Sequence, residues 1–274
     1  VIRKDMSMLS DAGVDVLVLD VTNAVRYWDE WEVLFSTMEK MREEGNNTPQ
    51  FCFWAFNGEV ITVVQQLYER IYKENKYPDL WFYWDGKPLL LYNADPVHDA
   101  NGGHSAYKDG KHDYSDDVKN FFTLRNMWWG YYEWAGKRFI GTEDNWSFGY
   151  SMADSRIKSM TPEQLASKHD GKIEEVAVTP AQHPVTMTDV PMGVGKSWSR
   201  RDGEPKLNEY DLPDSAYVPW LGRKVSDPEG YGIYFQERWD DALAANPQFL
   251  YLNDWNEWTA GKYNGDVMWL GRKN

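Results

Sequence analysis

The sequence alternates between short, continuously apolar runs and segments in which apolar residues recur every three or four positions. The runs occupy residues 14–22, 50–56, 88–93, 121–129, 174–182 and 248–252. Such runs are typical of strands that are buried on both faces of a parallel sheet. The periodic segments predict amphipathic helices at 28–44 and 59–74, and a later helix with its inward face formed by Tyr231, Tyr234, Phe235, Trp239 and Leu243.

This alternation predicts an α/β fold in which helices cover a parallel sheet. We expect a (β/α)8 TIM-type barrel that lacks its first strand or has had it trimmed, because about seven strands or fewer are visible and the chain opens in a helix. An open doubly wound sheet is the alternative, although no G-x-G-x-x-G follows the first strand. The sequence predicts a single domain, 1–274, with long cleft-lining loops at about 94–118 and 183–228.

Composition favours carbohydrate as a partner. The chain has 15 Trp, 17 Tyr and 11 Phe, more rings than a core requires, and exposed rings stack on sugar faces while acids and amides bind the hydroxyls. Its 29 Lys and Arg against 43 Asp and Glu give a net charge of −14, which disfavours nucleic acid. No apolar run reaches the roughly 18 residues of a membrane helix. We expect a secreted or periplasmic protein whose signal peptide has been removed, with the single Cys52 buried.

Polar residues follow the apolar runs at the points where the predicted strands end. In a parallel barrel these carboxyl ends open on one face, so residues distant in sequence converge there. The predicted rim comprises Asp20, Trp54, Asn93, Asp95, Arg125, Asn126, Trp129, Gln182, His183 and residues 254–258. At the last predicted strand end, amides, carboxylates and two indoles follow one another directly in the stretch QFLYLNDWNEWTAG (248–261).

The NDWNEW segment resembles the end of the last barrel strand in the endo-α-mannosidase-like glycoside hydrolases, and DGKPLLLYN (85–93) is similar to another strand of that group. The wider likeness is to bacterial polysaccharide-acting barrels with a WNEW-x-x-G exit. The resemblance implies a glycoside hydrolase in which Glu257 is catalytic. The group has a second glutamate three positions later, where this chain has Ala260. Only Glu257 of that carboxylate pair therefore carries over, which leaves open whether the group's mechanism, in which the sugar's own 2-hydroxyl attacks with help from the pair, applies to this chain.

Hydrolysis of a glycosidic bond needs two carboxyl groups, so a second acid must come from another strand. Glu257 lies between two tryptophans, surroundings that raise a carboxyl pKa and suit an acid or base. Asp20 and Asp189 are the first candidates for its partner, with Asp254, Glu143 and Asp144 behind them. His183 is placed to bind a sugar hydroxyl or to orient a carboxylate. The predicted substrate-binding residues are Trp54, Arg125, Trp129, Gln182, Trp255, Asn256 and Trp258.

Each of these residues also has a purely structural interpretation: an ion pair for Arg125, and packing for the tryptophans. We expect no cofactor and no metal site. The loop 95–117 holds three His and many Asp that could bind calcium, but it fits no EF-hand or zinc spacing. The sequence predicts an endo-acting glycoside hydrolase, and the alternative is a carbohydrate-binding barrel without catalysis. A glycosyltransferase-associated protein is weaker, because no metal-nucleotide motif occurs. The sugar, its linkage, the stereochemistry and the oligomeric state stay open.

Overall fold

The computed structural model describes residues 1–56, 59–96, 111, 113–130, 133–134, 137–150, 155–180, 215–226, 228–253, 266–267 and 272–273. The chain divides into two compact units, residues 1–127 and 128–274. The expectation of a single domain stays a prediction.

Unit 1 contains a parallel sheet with helices between its strands. Its helices are α1 (Ile2–Asp11), α2 (Trp28–Glu43), α3 (Val60–Leu67) and α4 (Asp116–Phe121), with a π-helical turn at Tyr68–Tyr72 and a 3₁₀ turn at Pro78–Leu80. Its strands are β1 (Val16–Asp20), β2 (Gln50–Trp54), β3 (Tyr83–Trp84), β4 (Lys87–Tyr92) and β5 (Thr123–Gly130), the last of which continues into unit 2.

The parallel strands β1, β2, β4 and β5 are neighbours in chain order, and β3 pairs antiparallel with β4. This confirms the predicted α/β class of the (β/α)8 type. A doubly wound sheet reverses its strand order at a switch point, whereas these four strands follow one another without reversal.

One face of the sheet packs on α2. The helix buries Trp31, Phe35, Met38 and Met41, the three- and four-residue spacing seen in the sequence. Phe35 stacks on Phe51 of β2 with ring centroids 4.0 Å apart and planes 12° apart. The predicted helix and strand are thus confirmed, and their apolar faces form the core of unit 1.

The end of α2 fixes the entry into β2. Gly45 adopts φ +86°, a left-handed conformation that glycine reaches without strain, and the N–H of Asn46 donates to the carbonyl of Met41 at 2.9 Å. Arg42 then donates to the carbonyls of Thr48 at 2.8 Å and Asp79 at 2.6 Å. These bonds hold the connection between α2 and β2 against the core.

Unit 2 is organised around a strand that pairs on both sides. Its strands are β6 (Glu133–Trp134), β7 (Lys137–Arg138), β8 (Asn145–Tyr150), β9 (Ser167–His169), β10 (Lys172–Val178), β11 (Ala216–Val218), β12 (Arg223–Val225), β13 (Phe249–Leu252), β14 (Asp266–Val267) and β15 (Arg272–Lys273). Its helices are α5 (Ser155–Lys158), α6 (Pro162–Leu165) and α7 (Ile233–Ala245), with 3₁₀ turns at Pro219–Leu221 and Pro228–Tyr231. β10 pairs parallel with β13 and antiparallel with β9.

The inward face of α7 differs from the prediction. Leu243, expected to face inward, is 68% exposed. The buried side chains are Ile233, Tyr234, Glu237, Arg238, Asp241, Ala242 and Ala245. Arg238 donates to Asp241 at 2.6 Å and to Glu237 at 3.1 Å. These ion pairs allow the helix to bury charged residues. The prediction was therefore right for Tyr234, which is buried, and wrong for Leu243, and it missed the buried charged residues.

Replacing Phe35 by alanine tests the importance of the stacked pair. We expect Phe35→Ala to lower the free energy of unfolding by about 3–5 kcal/mol, because it leaves a cavity against Phe51. Val33→Ala, an exposed position of the same helix, should change it by less than about 0.5 kcal/mol. Chemical denaturation of both variants provides the measurement, and equal losses would contradict the packing described.

Candidate functional site

The described residues include four of the predicted site residues. Asp20, Trp54 and Arg125 are described with their side chains, and Trp129 lies within β5. The other predicted residues, Gln182, His183, Asp189, Trp255, Asn256, Glu257 and Trp258, lie outside the described residues, as does the reserve acid Asp254.

Asp20 is the last residue of β1, and its carboxylate is exposed. One oxygen, Oδ1, accepts a hydrogen bond from the backbone N–H of Thr22 at 2.7 Å. This bond turns the chain sharply at the strand exit and orients the carboxylate, a common use of Asp in turns. The sequence therefore folds so that an oriented acid stands at the carboxyl end of the first strand.

A row of side chains crosses the sheet of unit 1 at this level. Asp20 is the register partner of Trp54, Trp54 of Leu91, and Leu91 of Arg125. Register partners in a pleated sheet share a face. The next positions, Phe53 and Leu90, belong to the core that packs on the helices. The row with Asp20 and Trp54 therefore lies on the opposite face, which is the inner face of a (β/α) barrel.

Trp54 forms the wall beside Asp20. Its indole is only 2% exposed, and its N–H donates to the backbone carbonyl of Met127 in β5 at 3.3 Å. Little of the ring surface is therefore open to a stacked sugar. The contact ties the end of β2 to β5 across β4 and fixes the ring next to Asp20.

Arg125 makes its ion pair at the other end of the sheet. Its guanidinium donates to Asp85 Oδ2 at 2.7 Å, and the arginine side chain is nearly fully buried. Asp85 and Gly86 form the tight turn between β3 and β4, both with positive φ, so they precede β4 at the amino end of the strands. This ion pair is directed away from the carboxyl end where Asp20 stands.

Two buried amides hold the loop that follows β4. Asn126 Oδ1 accepts from the N–H of Ala94, and Asn93 Oδ1 accepts from the N–H of Asp95, both at 2.9 Å. The hydroxyl of Tyr114 donates to the carbonyl of Asn93 at 2.8 Å. These bonds fix the backbone of residues 93–95 at the same end of the sheet as Asp20. Asn93 directly follows β4, as predicted, whereas Asn126 and Arg125, which were predicted at a strand exit, lie inside β5 because this strand continues to Gly130.

Asn253 fixes the strand that leads into the NDWNEW segment. Its N–H donates to the carbonyl of Val178 at 3.3 Å, and its Nδ2 donates to the carbonyl of Phe148 in β8 at 2.6 Å. A Cβ on residue 149 would lie 2.7 Å from Thr179 Cγ2 and 3.5 Å from Asn253 Nδ2. Glycine at this position therefore allows the backbone of β8 to lie close to both side chains. The chain is thus anchored on two strands immediately before residue 254.

Sequence reasoning missed a buried carboxyl pair in β10. Glu174 accepts from the indole N–H of Trp146 at 2.6 Å, and Glu175 accepts from the N–H of Ser147 and the hydroxyl of Ser167, both at 3.0 Å. Burial, with a smaller contribution from Glu174, raises the pKa of Glu175 to about 8, although the hydrogen bonds from Ser147 and Ser167 oppose this shift. In the sequence, the signal for this buried pair was the presence of two adjacent glutamates in the otherwise apolar run KIEEVAV.

Glu143 and Asp144, the further candidates for the second carboxyl group, instead contact residues at the turn between β9 and β10. Asp144 Oδ1 lies 2.7 Å from His169 Nδ1, and Glu143 accepts from the N–H of Gly171 at 3.2 Å. Among the described residues, no group of three or more His, Cys, Asp and Glu side chains could hold a metal ion. None of the described helices is long and apolar enough to span a membrane.

Comparisons with known proteins gave structural neighbours only. No protein-family model and no curated protein matches the sequence. A solved structure of the endo-α-mannosidase of family GH99 from Bacteroides thetaiotaomicron, in complex with BIS-TRIS-propane, is similar with a TM-score of 0.47 and 13% identity, over 94% of this chain and 70% of that one. A second structure of the GH99 endo-α-mannosidase from this organism gives 0.47 and 14%, over 94% and 66%. This chain thus spans about two thirds of their length.

Asn253 is expected to stabilise unit 2. Asn253→Ala removes the hydrogen bond that its side chain donates to the partly buried carbonyl of Phe148, which should cost about 0.5–1.5 kcal/mol of unfolding free energy. Gln248→Ala, at the exposed start of the same segment, removes a long 3.4 Å bond and should cost less than about 0.5 kcal/mol. Thermal and chemical unfolding of both variants measure this, and a neutral Asn253→Ala would refute the anchor.

Glu175 is expected to make stability fall as the pH rises. The folded protein keeps a proton on Glu175 up to about pH 8, while the unfolded chain loses it near the ordinary value of 4.5. The contribution of Glu175 to stability is therefore fully present below that ordinary value and declines through the window between the two values. Glu175→Gln cannot ionise, so the stability difference between the two proteins should change by at most about 1.4 kcal/mol per pH unit there. Parallel unfolding curves from pH 5 to pH 8 would contradict this.

Proposed function

We propose that the protein is a glycoside hydrolase that acts within a polysaccharide chain. The observation that carries the proposal is the exposed, oriented carboxylate of Asp20 at the carboxyl end of β1, beside the indole wall of Trp54. In parallel α/β folds, reacting groups come from this end of the strands. At the other end of the sheet, Arg125 forms an ion pair with Asp85, and we assign this pair a structural role.

In this proposal Asp20 and Glu257 are the two carboxyl groups of hydrolysis. Glu257, between Trp255 and Trp258, donates a proton to the leaving glycosidic oxygen. Asp20 acts as the nucleophile on the anomeric carbon or as the base that takes a proton from the attacking water. A separation of about 5–5.5 Å gives retention of configuration, and about 6.5–9.5 Å gives inversion. Asp189 is the alternative to Asp20.

The remaining predicted residues bind the sugar chain. His183 and Gln182 bond hydroxyls or orient a carboxylate, and Asn256 contributes an amide. Trp129, Trp255 and Trp258 are the proposed stacking rings, while Trp54 shapes the wall next to Asp20. Arg125 contributes to binding only if part of its guanidinium also reaches the sugar. The reaction needs no cofactor, and a polysaccharide substrate is consistent with a secreted or periplasmic location.

The rival proposal is a carbohydrate-binding barrel without catalysis, which Ala260 favours. A panel of polysaccharides, with products analysed by mass and by anomeric NMR, separates the two. Turnover by the natural protein that is lost in Glu257→Gln, with binding retained, supports the enzyme. Binding without turnover of any member of the panel supports the rival.

Asp20 offers a test with a control at the opposite end of the same strand. We expect Asp20→Asn to lower kcat by at least about 100-fold, because the amide can still accept from Thr22 but cannot act as a nucleophile or base. Asp15, exposed just before the amino end of β1, is the matched control, and Asp15→Asn should leave kcat unchanged. Equal rates for the two variants on a hydrolysed polysaccharide would remove Asp20 from the reaction.

A further inference from the structure

The loop that joins β1 to α2, residues 21–27, begins directly after the candidate carboxylate of Asp20. Within it, the N–H of Thr22 donates to Asp20 Oδ1 at 2.7 Å. The N–H of Ala24 then donates to the carbonyl of Val21 at 3.0 Å and closes a tight turn. The direction of the Asp20 carboxylate therefore depends on the conformation of this turn.

Ala24 holds a strained conformation in the turn. Its φ is +60°, in the left-handed region that residues with a Cβ rarely adopt, because the Cβ then lies too close to a backbone oxygen. A residue stays in such a conformation only where its surroundings hold it there, and strained residues are frequent at sites of binding and catalysis. The turn beside Asp20 therefore needs a support from outside the loop backbone.

The guanidinium of Arg26 supplies that support. Its Nη1 donates to the carbonyl of Ala24 at 2.6 Å. Its Nε donates to Oε1 of Gln66 in α3 at 2.9 Å, and its Nη2 lies 3.6 Å from Oε2 of Glu59, which directly precedes α3. Only 21% of the arginine side chain is exposed, so these contacts are partly shielded from water. Arg26 thus connects the strained turn to a helix that belongs to the core of unit 1.

A second arginine fixes the far end of the loop. Arg70, in the π-helical turn after α3, lies over the ring of Trp28, with Cζ 4.1 Å from the ring centroid. Trp28 is the first residue of α2, and its ring packs edge-on against the buried Trp31. Since β1 fixes the near end and this contact fixes the far end, the conformation of the turn between them depends on Arg26.

We propose that Arg26 is a positioning residue for the carboxylate of Asp20. Its bond to Ala24 keeps the turn closed, and the closed turn keeps the N–H of Thr22 directed at Asp20 Oδ1. The consequence for hydrolysis rests on the proposed function, in which Asp20 attacks the anomeric carbon or activates water. Displacing a reacting group by about 1 Å can lower a rate about 100-fold, so a residue that only orients this carboxylate affects the reaction.

Arg42 is the matched control for a purely structural role. It makes the same kind of contacts at the opposite, amino end of the sheet, where it donates to the carbonyls of Thr48 and Asp79. Arg26→Met and Arg42→Met each remove a guanidinium and keep an unbranched side chain. We expect both variants to be less stable than the natural protein, and only Arg26→Met to disturb the turn beside Asp20.

Hydrogen exchange of the Thr22 amide, measured by NMR on the full chain, reports on the turn without any substrate. We expect Arg26→Met to accelerate this exchange about tenfold or more, because the turn opens more often, and Arg42→Met to change it by less than about twofold. Ala24→Gly, added to Arg26→Met, should slow the exchange again, because glycine adopts this φ without strain. Unchanged exchange in Arg26→Met, or no recovery with glycine, overturns the inference.

Kinetics on a hydrolysed polysaccharide test the consequence for the reaction. We expect Arg26→Met to lower kcat about tenfold and to change KM by less than about twofold, because the oriented carboxylate acts in the transition state while other residues bind the sugar. Arg42→Met should keep the natural kcat, and Ala24→Gly should restore most of the kcat lost in Arg26→Met. If Asp20→Asn abolishes turnover while Arg26→Met keeps the natural kcat, the inference is wrong. If the natural protein hydrolyses no polysaccharide, the proposed function is refuted, and the exchange of the Thr22 amide still decides whether Arg26 positions Asp20.

Discussion

The packing of α2 on β2 determines where polar chemistry can occur in unit 1. Phe35 stacked on Phe51 commits one face of the sheet to an apolar core. Alternation along each strand then assigns Asp20 and Trp54 to the other face, at the strand ends. A one-residue slip of β1 against β2 would separate the acid from the indole wall. The position of the candidate carboxylate is thus a consequence of register.

Unit 2 differs from unit 1 in that acidic side chains are buried inside it. Glu174 and Glu175 stand side by side in β10, each with its own donors from β8 or β9. Arg238 of α7 is likewise buried between Glu237 and Asp241. Such networks are costly when any partner is lost, and Asn253 at the end of β13 is subject to the same constraint. The chain leading to residue 254 therefore depends on the two hydrogen bonds that Asn253 donates to the carbonyls of Val178 and Phe148.

Periodicity predicted the strands and helices well where one face is apolar, as in α2 and β2. In α7 it was right for Tyr234 and wrong for Leu243, and it missed Arg238 and Asp241, because a rule that inward positions are apolar does not take account of charged residues that pair with each other. It located Asp20 at a strand exit, but it could not reveal that Arg125 pairs with Asp85, since that contact depends on the turn between β3 and β4. Glu175 was missed because a charged residue in an apolar strand was treated as part of the run.

The central claim is that the carboxylate at the end of β1 lies against the bound sugar. An epoxide derivative of the oligosaccharide that the protein releases would test this directly, since a carboxylate beside the sugar opens the epoxide and becomes an ester. Peptide mapping by mass spectrometry should find the ester on Asp20, with labelling prevented by the free oligosaccharide. Inactivation with esters on other acids, and none on Asp20, would contradict the account.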